Sequence, residues 1–375
     1  MSRLWAALAA TALGFGWQWL TVARNYGGNF TALFCTGSQH PTPSSLAGEH
    51  IYVFPNSGGY DGQSYHYVAH DPLGRTDIGR AVPDPEFRYP RILLPALAYL
   101  AALGRQQWID PAYFACNLWF LFLGAWWLAP LLERVGLNPR LAMLYAVAPV
   151  TIVALDRLVI DLALVSLCLG FAVYVESGPR WKLYAVLLAA ALCRDSGFLL
   201  TAACVLPCLR KRRFREAALL ATAVLPAVAW MVYVRTQIQG GPHLGIASFI
   251  PVWSMLRSVM DLPPYRFPPL ITAAVRAFDA LELAGIFLAM AVAFRGVREF
   301  GREAIGTACF LWACFATAIP QGAFNDCYAE ARLLSPLLFF LPLWKGRAVW
   351  FVPMLLAAPR VWLELAPQVL GLFAR

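Results

Sequence analysis

The sequence predicts an all-α, polytopic membrane protein with about 11 transmembrane helices and a long first extracytoplasmic loop. Of 375 residues, 60% are hydrophobic and 14% charged, and mean hydropathy is +0.59; a soluble domain of this length does not bury so much apolar surface. Apolar runs of spanning length recur along the chain. The runs are continuous rather than alternating, which selects helices over a β-barrel, since a spanning helix satisfies its own backbone.

The net charge of +9 does not point to nucleic acid, because the chain has no basic helix or binding module. Lys and Arg gather instead in short loops between apolar runs, as in cytoplasmic loops. Most of the nine cysteines lie in predicted helices as small apolar fillers. Cys35 and Cys327 fall in outer loops, where pairing is left open.

Ser2-Arg3 precedes an apolar run from Leu4 to about Val22; small residues near Ala9-Ala10 would suit a signal peptide, but the length of the run and the membrane protein behind it favour an uncleaved first helix. Residues 23–107 form the extracytoplasmic loop with juxtamembrane helices; it is rich in Gly, Pro, Ser and Asn and too long for a simple connection. Within it, Ile92 to Leu103 is apolar but short and carries Pro95, so it lies at the interface or dips in. The bundle occupies 108–375. Its spans are expected at about 110–132, 140–155, 158–176, 182–193, 196–209, 216–235, 276–295, 304–320, 333–344 and 348–366; several are short, and the pair around Arg194-Asp195 is alternatively one kinked unit. With the N-terminus inside, the cluster Arg210, Lys211, Arg212, Arg213 and Arg215 is also inside, as the positive-inside rule requires. The same layout puts Asp156-Arg157, Arg194-Asp195, 236–275 and 321–332 outside. The loop at 236–275, with Gly240-Gly241-Pro242-His243, either covers an acceptor path or anchors at the interface.

Ionisable groups near a bilayer mark a site or a paired contact, and here they gather on the outer side. Asp61 is the candidate general base, able to take a proton from an attacking hydroxyl. Gly62 beside it lets backbone or substrate come close; an Asp-Gly turn on a loop tip is the plain alternative. Arg88 and Arg91 flank Tyr89-Pro90 and offer forked donors to a lipid phosphate, or anchor to headgroups. His66 and His70 share a helix face near Asp61 and Asp71. Two imidazoles and a carboxylate are a zinc donor set, but there is no His-Glu-x-x-His signature, so a surface helix face and no metal is the expectation. Asp156-Arg157 with Asp161, and Arg194-Asp195, interrupt apolar runs, and internal ion pairing accounts for part of this set. Arg332 stands at a helix mouth after Asn325-Asp326 and Glu330, placed for an anionic headgroup or for snorkelling.

Behind a first helix, the runs Tyr60-Asp61-Gly62-Gln63-Ser64-Tyr65, Asp71-Pro72 and Arg88-Tyr89-Pro90-Arg91-Ile92-Leu93-Leu94-Pro95 resemble bacterial multi-pass glycosyltransferases of the GT-C superfamily. The likeness is to members linked with cell-surface glycopolymers and, more distantly, to dolichol-phosphate mannosyltransferases. In topology it covers most of the chain. In motif it is concentrated in 60–95, with weaker echoes at Asp156, at Arg194-Asp195-Ser196-Gly197 and from Arg332 to Pro336.

The resemblance implies a GT-C-like fold with Asp61 as catalytic base, Asp156 as a second acidic position and Arg332 as donor-phosphate ligand. Arg88, Arg91 and Arg194 are expected beside Arg332, and Tyr60, Gln63, Tyr65, His66 and Tyr89 as substrate contacts. It implies inverting sugar transfer from a polyprenyl-phosphate donor to a glycan, lipid or protein acceptor, at the periplasmic face of a bacterial inner membrane, with no cofactor. No second acid stands beside Asp61, a departure that favours a metal-independent mechanism. The alternative is a transporter or flippase for a lipid-linked or anionic substrate, whose charges should lie near mid-membrane on broken helices. A third reading, a non-catalytic subunit of an envelope assembly, would tolerate loss of Asp61 and Arg332 together.

Overall fold

The computed structural model describes residues 2–238, 252–261 and 264–373. Gly240-Gly241-Pro242-His243 lies outside the described residues. Among these, strand is confined to β1 (Thr36–Gly37) and β2 (Val53–Phe54), a short parallel pair.

Helix α1 is Ser2–Asn25. The long loop then carries α2 (Asp61–His70), α3 (Asp77–Ala81), α4 (Pro85–Arg88) and α5 (Leu93–Ala101). The bundle begins with α6 (Gln106–Arg134). A 3-10 stretch, Pro139–Val147, bends into α7 (Pro149–Arg157), followed by α8 (Asp161–Ser177), α9 (Arg180–Cys193) and α10 (Phe198–Arg210). Next come α11 (Phe214–Ala221), α12 (Leu225–Gln237), α13 (Trp253–Met260), α14 (Pro269–Arg295), α15 (Ala304–Thr317) and α16 (Gln321–Phe324). The chain closes with α17 (Cys327–Lys345), α18 (Val352–Leu363) and α19 (Ala366–Gly371).

The chain is all-α, with helices long and apolar enough to cross a bilayer. Four single stretches qualify: Ser2–Asn25, Gln106–Arg134, Phe214–Gln237 and Pro269–Arg295. Two bent pairs, Pro139–Val147 with Pro149–Arg157 and Ala348–Leu363 with Ala366–Phe373, raise the count to six. Leu13, Trp19, Trp119, Leu225 and Leu270 project outward from such helices, an apolar exterior suited to lipid. Helices α8, α9, α10, α15 and α17 coincide with expected spans. They have 17, 14, 13, 14 and 19 residues, short of the ~20 that cross a hydrocarbon core. Polar breaks at Asp156-Arg157 and Arg194-Asp195 are what cut α7 to α10 short.

Helix α17 runs through the middle. From Cys327 to Pro342 every residue except Leu333 is buried, and the helix packs on α7, α8, α15 and α18. The long loop has a core of its own: Leu46, Tyr67, Val68, Ile78, Val82, Tyr89 and Ile92 close on Val234 and Ile238 at the end of α12. Trp230 Nε1 donates to the Tyr89 carbonyl at 2.7 Å and the Tyr233 hydroxyl to the Leu73 carbonyl at 3.0 Å. Tyr67 and Tyr89 of the loop, met by Trp230 and Tyr233 of α12, thereby hold it as a cap on the bundle.

One glycine sets how closely the cap sits. A Cβ on Gly62 would strike the carbonyl oxygens of Arg157 and Phe34, so backbone makes the close approach there. Gly62→Ala is expected to destabilise by about 1–3 kcal/mol through overpacking. Gly16→Ala, where a Cβ meets nothing within 4 Å, should instead stabilise helix α1 by about 0.5–1 kcal/mol. Thermal unfolding of both variants in one detergent checks the opposite signs.

Candidate functional site

Helix α2 starts at Asp61, preceded by an extended Tyr60 (φ −140°, ψ 176°). At 100° per residue, Asp61 and Tyr65 share one face of α2, while His66 and His70 take the opposite one. The first face meets arginines from three directions. Arg88 ends α4 and Arg91 follows it, Arg194 is the residue after α9, and Arg332 lies in the second turn of α17. Asp161, the first residue of α8, completes the set.

Asp61 is held at both oxygens. Arg88 Nη2 stands 2.6 Å from its Oδ1 and Arg332 Nη2 2.6 Å from its Oδ2. Arg332 Nη1 continues to Asp161 Oδ2 at 3.5 Å, and Arg194 Nη1 binds Asp161 Oδ1. A second arm runs from Arg91, whose Nε and Nη2 lie 3.1 and 3.4 Å from the two Asp195 oxygens and whose Nη1 donates to the Tyr65 hydroxyl at 3.2 Å. The Arg88 guanidinium lies 5.9 Å from the Tyr65 ring centre and Arg332 5.1 Å from that of Tyr60, geometry within cation–π range. Four guanidiniums therefore face three carboxylates, an excess of one positive charge.

The network also has spare donors. Arg88 Nε and Nη1 and Arg332 Nε are buried and have no acceptor among the described residues. Buried unpaired donors of this kind cost free energy unless a ligand or water satisfies them.

Burial alone would raise the Asp61 pKa, but the Arg332 and Arg88 charges outweigh it and hold the carboxyl well below its ordinary 3.8. A depressed carboxylate contributes stability that is complete above the unfolded value and is lost only as pH falls through the folded one. Asp61 is thus ionised at any physiological pH, and as clamped it is a feeble proton acceptor.

Not every expected residue joins this network. Asp156 is buried and faces away. It accepts from the Tyr328 hydroxyl at 3.0 Å and from Gln368 Nε2 at 2.9 Å, with Arg157 Nη1 at 3.4 Å. The acid that shares an arginine with Asp61 is Asp161. The cause is a left-handed turn at Leu158 (φ 45°), which separates the directions of α7 and α8. Tyr60 donates to Asp326 Oδ2 at 3.0 Å, tying α2 to the start of α17. Gln63 is occupied internally: its Oε1 accepts from Gly37 N at 3.1 Å and its Nε2 faces the Tyr67 hydroxyl at 3.4 Å. Tyr89 is fully buried and donates to the Asp71 carbonyl at 3.0 Å.

His66 and His70 do not form a surface face. Both are buried, and both approach Asp110 of α6. These three are the described residues whose donor atoms could hold a metal ion. Asp71 instead holds a turn, accepting from Arg75 N, Thr76 N and the Thr76 hydroxyl. Cys35 and Cys327 are free thiols.

Sequence reasoning missed the partners more than the arginines. Asp110 stands at the leading edge of an apolar run and reads as a span boundary. Glu282 lies inside a predicted span, whereas Glu330, expected in the outer loop 321–332, lies instead in the first turn of α17; both are buried with a carboxylate oxygen unpaired among the described residues. The only sequence signal for Glu282 is an acid within an apolar segment. No family model, no curated protein and no solved structure matches the chain.

Removing Asp161 leaves the Arg194 and Arg332 charges buried without it. Asp161→Ala is expected to destabilise by about 3–5 kcal/mol, as for other broken buried pairs. Glu133 and its partner Arg3 are both about half exposed, so Glu133→Ala should cost under about 1 kcal/mol. Unfolding of the two variants under identical conditions checks the contrast.

Proposed function

We propose that the chain is an inverting glycosyltransferase of the GT-C type, crossing a bacterial plasma membrane through its eleven apolar segments. It moves a sugar from a polyprenyl-phosphate donor to an acceptor hydroxyl on the extracytoplasmic side. The observation that carries this reading is the clamp on Asp61, in which one carboxylate lies between two arginines that keep spare buried N–H donors.

A sugar-phosphate-lipid is a phosphodiester with one negative charge, matching the network's single excess positive charge. Its oxygens offer acceptors for Arg88 Nε and Nη1 and for Arg332 Nε. In binding, the phosphate competes with Asp61 for the same guanidiniums. Asp61 is thereby loosened and its basicity rises toward the ordinary carboxylate value, since the charges that depressed it are now shared.

The chemistry then balances with these groups alone. The acceptor oxygen forms a bond to the anomeric carbon on the face opposite the phosphate. The carbon–oxygen bond to phosphate breaks, and the electron pair leaves with the polyprenyl phosphate. Asp61 takes the acceptor's proton late, when that oxygen is already acidic. Arg88 and Arg332, with Arg194 and Arg91 behind them, stabilise the charge gathering on the leaving phosphate.

A second reading, movement of a lipid-linked or anionic substrate across the bilayer, is favoured by the buried, partly unpaired Glu282 and Glu330 on α14 and α17. Intramembrane carboxylates of this kind line ion and substrate paths.

A transfer assay in native membranes separates the two, using a panel of radiolabelled polyprenyl-phosphate sugars and matched expression. Asp61→Asn should lower transfer by about 10²–10⁴-fold, the usual scale of a lost general base, with donor binding retained or tightened. Arg332→Lys should weaken donor binding, because an ammonium cannot reproduce the fork. Equal transfer by wild type and Asp61→Asn would remove Asp61 from the mechanism. Lipid movement by the wild type without sugar transfer would establish the second reading.

A further inference from the structure

The buried trio on the other face of α2 has a proton arrangement that calls for a cation. Gln106 Nε2 donates to the His70 carbonyl at 3.2 Å, which leaves its Oε1 facing His70 Nδ1 at 2.6 Å. An amide oxygen only accepts, so Nδ1 carries the hydrogen, and in a neutral imidazole Nε2 then carries a lone pair. That lone pair points at Asp110 Oδ1, 3.0 Å away. Two electron-rich atoms at this distance need a positive charge between them or on the ring.

His66 adds a second nitrogen at the same point. Its Nε2 lies 2.8 Å from the same Asp110 Oδ1, yet neither of its ring nitrogens forms a hydrogen bond among the described residues, and the side chain is fully buried. The ring is fixed in plane by stacking on Phe34, with centroids 4.0 Å apart and planes 7° apart. All three donor atoms lie within 4.8 Å of one another. Metal–ligand bonds of about 2.0 Å at tetrahedral angles place donor atoms about 3.3 Å apart, so each imidazole-to-carboxylate distance, 2.8 and 3.0 Å, lengthens by only a few tenths of an ångström when an ion enters, and the two imidazoles turn toward each other around it.

We propose that His66, His70 and Asp110 bind a divalent transition-metal ion of the zinc type, which pins α2 to α6. Two imidazoles and one carboxylate are borderline-hard donors suited to such ions and poorly suited to Ca²⁺ or Mg²⁺. Gln106 fixes the His70 tautomer and ring direction, the usual role of a group hydrogen-bonded behind a metal-bound histidine. The pinned helix carries Asp61 on its opposite face, so the ion orients the charged network without touching it. The inference is independent of the chemistry proposed for Asp61.

The test needs no variant at first. Full-length protein in detergent, stripped with chelator and dialysed, is titrated with Zn²⁺ and, separately, Co²⁺. Expected results are uptake of one equivalent, a rise in Tm with Zn²⁺ and visible cobalt bands of a nitrogen–oxygen site. Gln106→Leu should weaken affinity about 10–100-fold, and His66→Gln should abolish uptake. Stripped wild type that takes up no ion, with an unmoved Tm, would overturn the proposal and leave His70 as an imidazolium paired with Asp110. A thiolate-to-cobalt band would place the ion at cysteines and overturn it equally, as would unaltered binding by His66→Gln.

Discussion

Burying several charges together, at nearly balanced count, is the constraint on which the rest of the molecule depends. Asp61, Asp161, Arg88, Arg194 and Arg332 are largely removed from water, and none is tolerable there alone. Their mutual pairing requires α2, α4, α8, α9 and α17 to meet at one end of the bundle. The cap's own core, the Gly62 contact with Arg157 and the Tyr60 bond to Asp326 all serve that meeting. Remove the network and the cap keeps its apolar core and its bonds to Trp230, Tyr233 and Asp110, but loses what seats the start of α2 on α8 and α17.

Such a network is a poor catalyst in the resting state and a good receptor. A carboxylate clamped by two arginines neither accepts protons nor repels an incoming anion strongly. In the proposed reaction one event, arrival of the phosphate, both fills the spare N–H donors and loosens the base. Binding and activation are then the same exchange of partners, which protects the site from reacting before the donor is in place. The net charge of the network, not the depressed basicity of one member, sets which anion fits.

The helical character of the chain was legible because continuous apolar runs admit few other structures, and Asp61, Arg88, Arg91, Arg194 and Arg332 stood out because charges beside such runs are costly. What could not be read was which charge meets which. Asp156 and Asp161 flank the same polar break, and across the left-handed Leu158 between them it is the second that faces Arg332. Asp110 finds His66 and His70 across some forty residues of chain, a pairing no local spacing encodes. Gln63 and Tyr89 were expected as substrate contacts from the family resemblance of their motifs. Their polar atoms go instead to Gly37 and Asp71, inside the cap. The eleven expected crossings were counted by hydropathy; it already showed short runs at 182–193 and 196–209, but not whether such short helices, α9 and α10 here, cross singly.

That shortness bears on the membrane itself. At 1.5 Å per residue, α9 and α10 are about 20 Å long, against about 30 Å of hydrocarbon. Where they cross, the bilayer thins or draws its headgroups inward, at a cost of a fraction of a kcal/mol per ångström. Arg194 follows the last residue of α9, so the dimple forms beside the arginines. In the proposed reaction, the donor's phosphate travelling in that leaflet would descend toward them with the membrane surface.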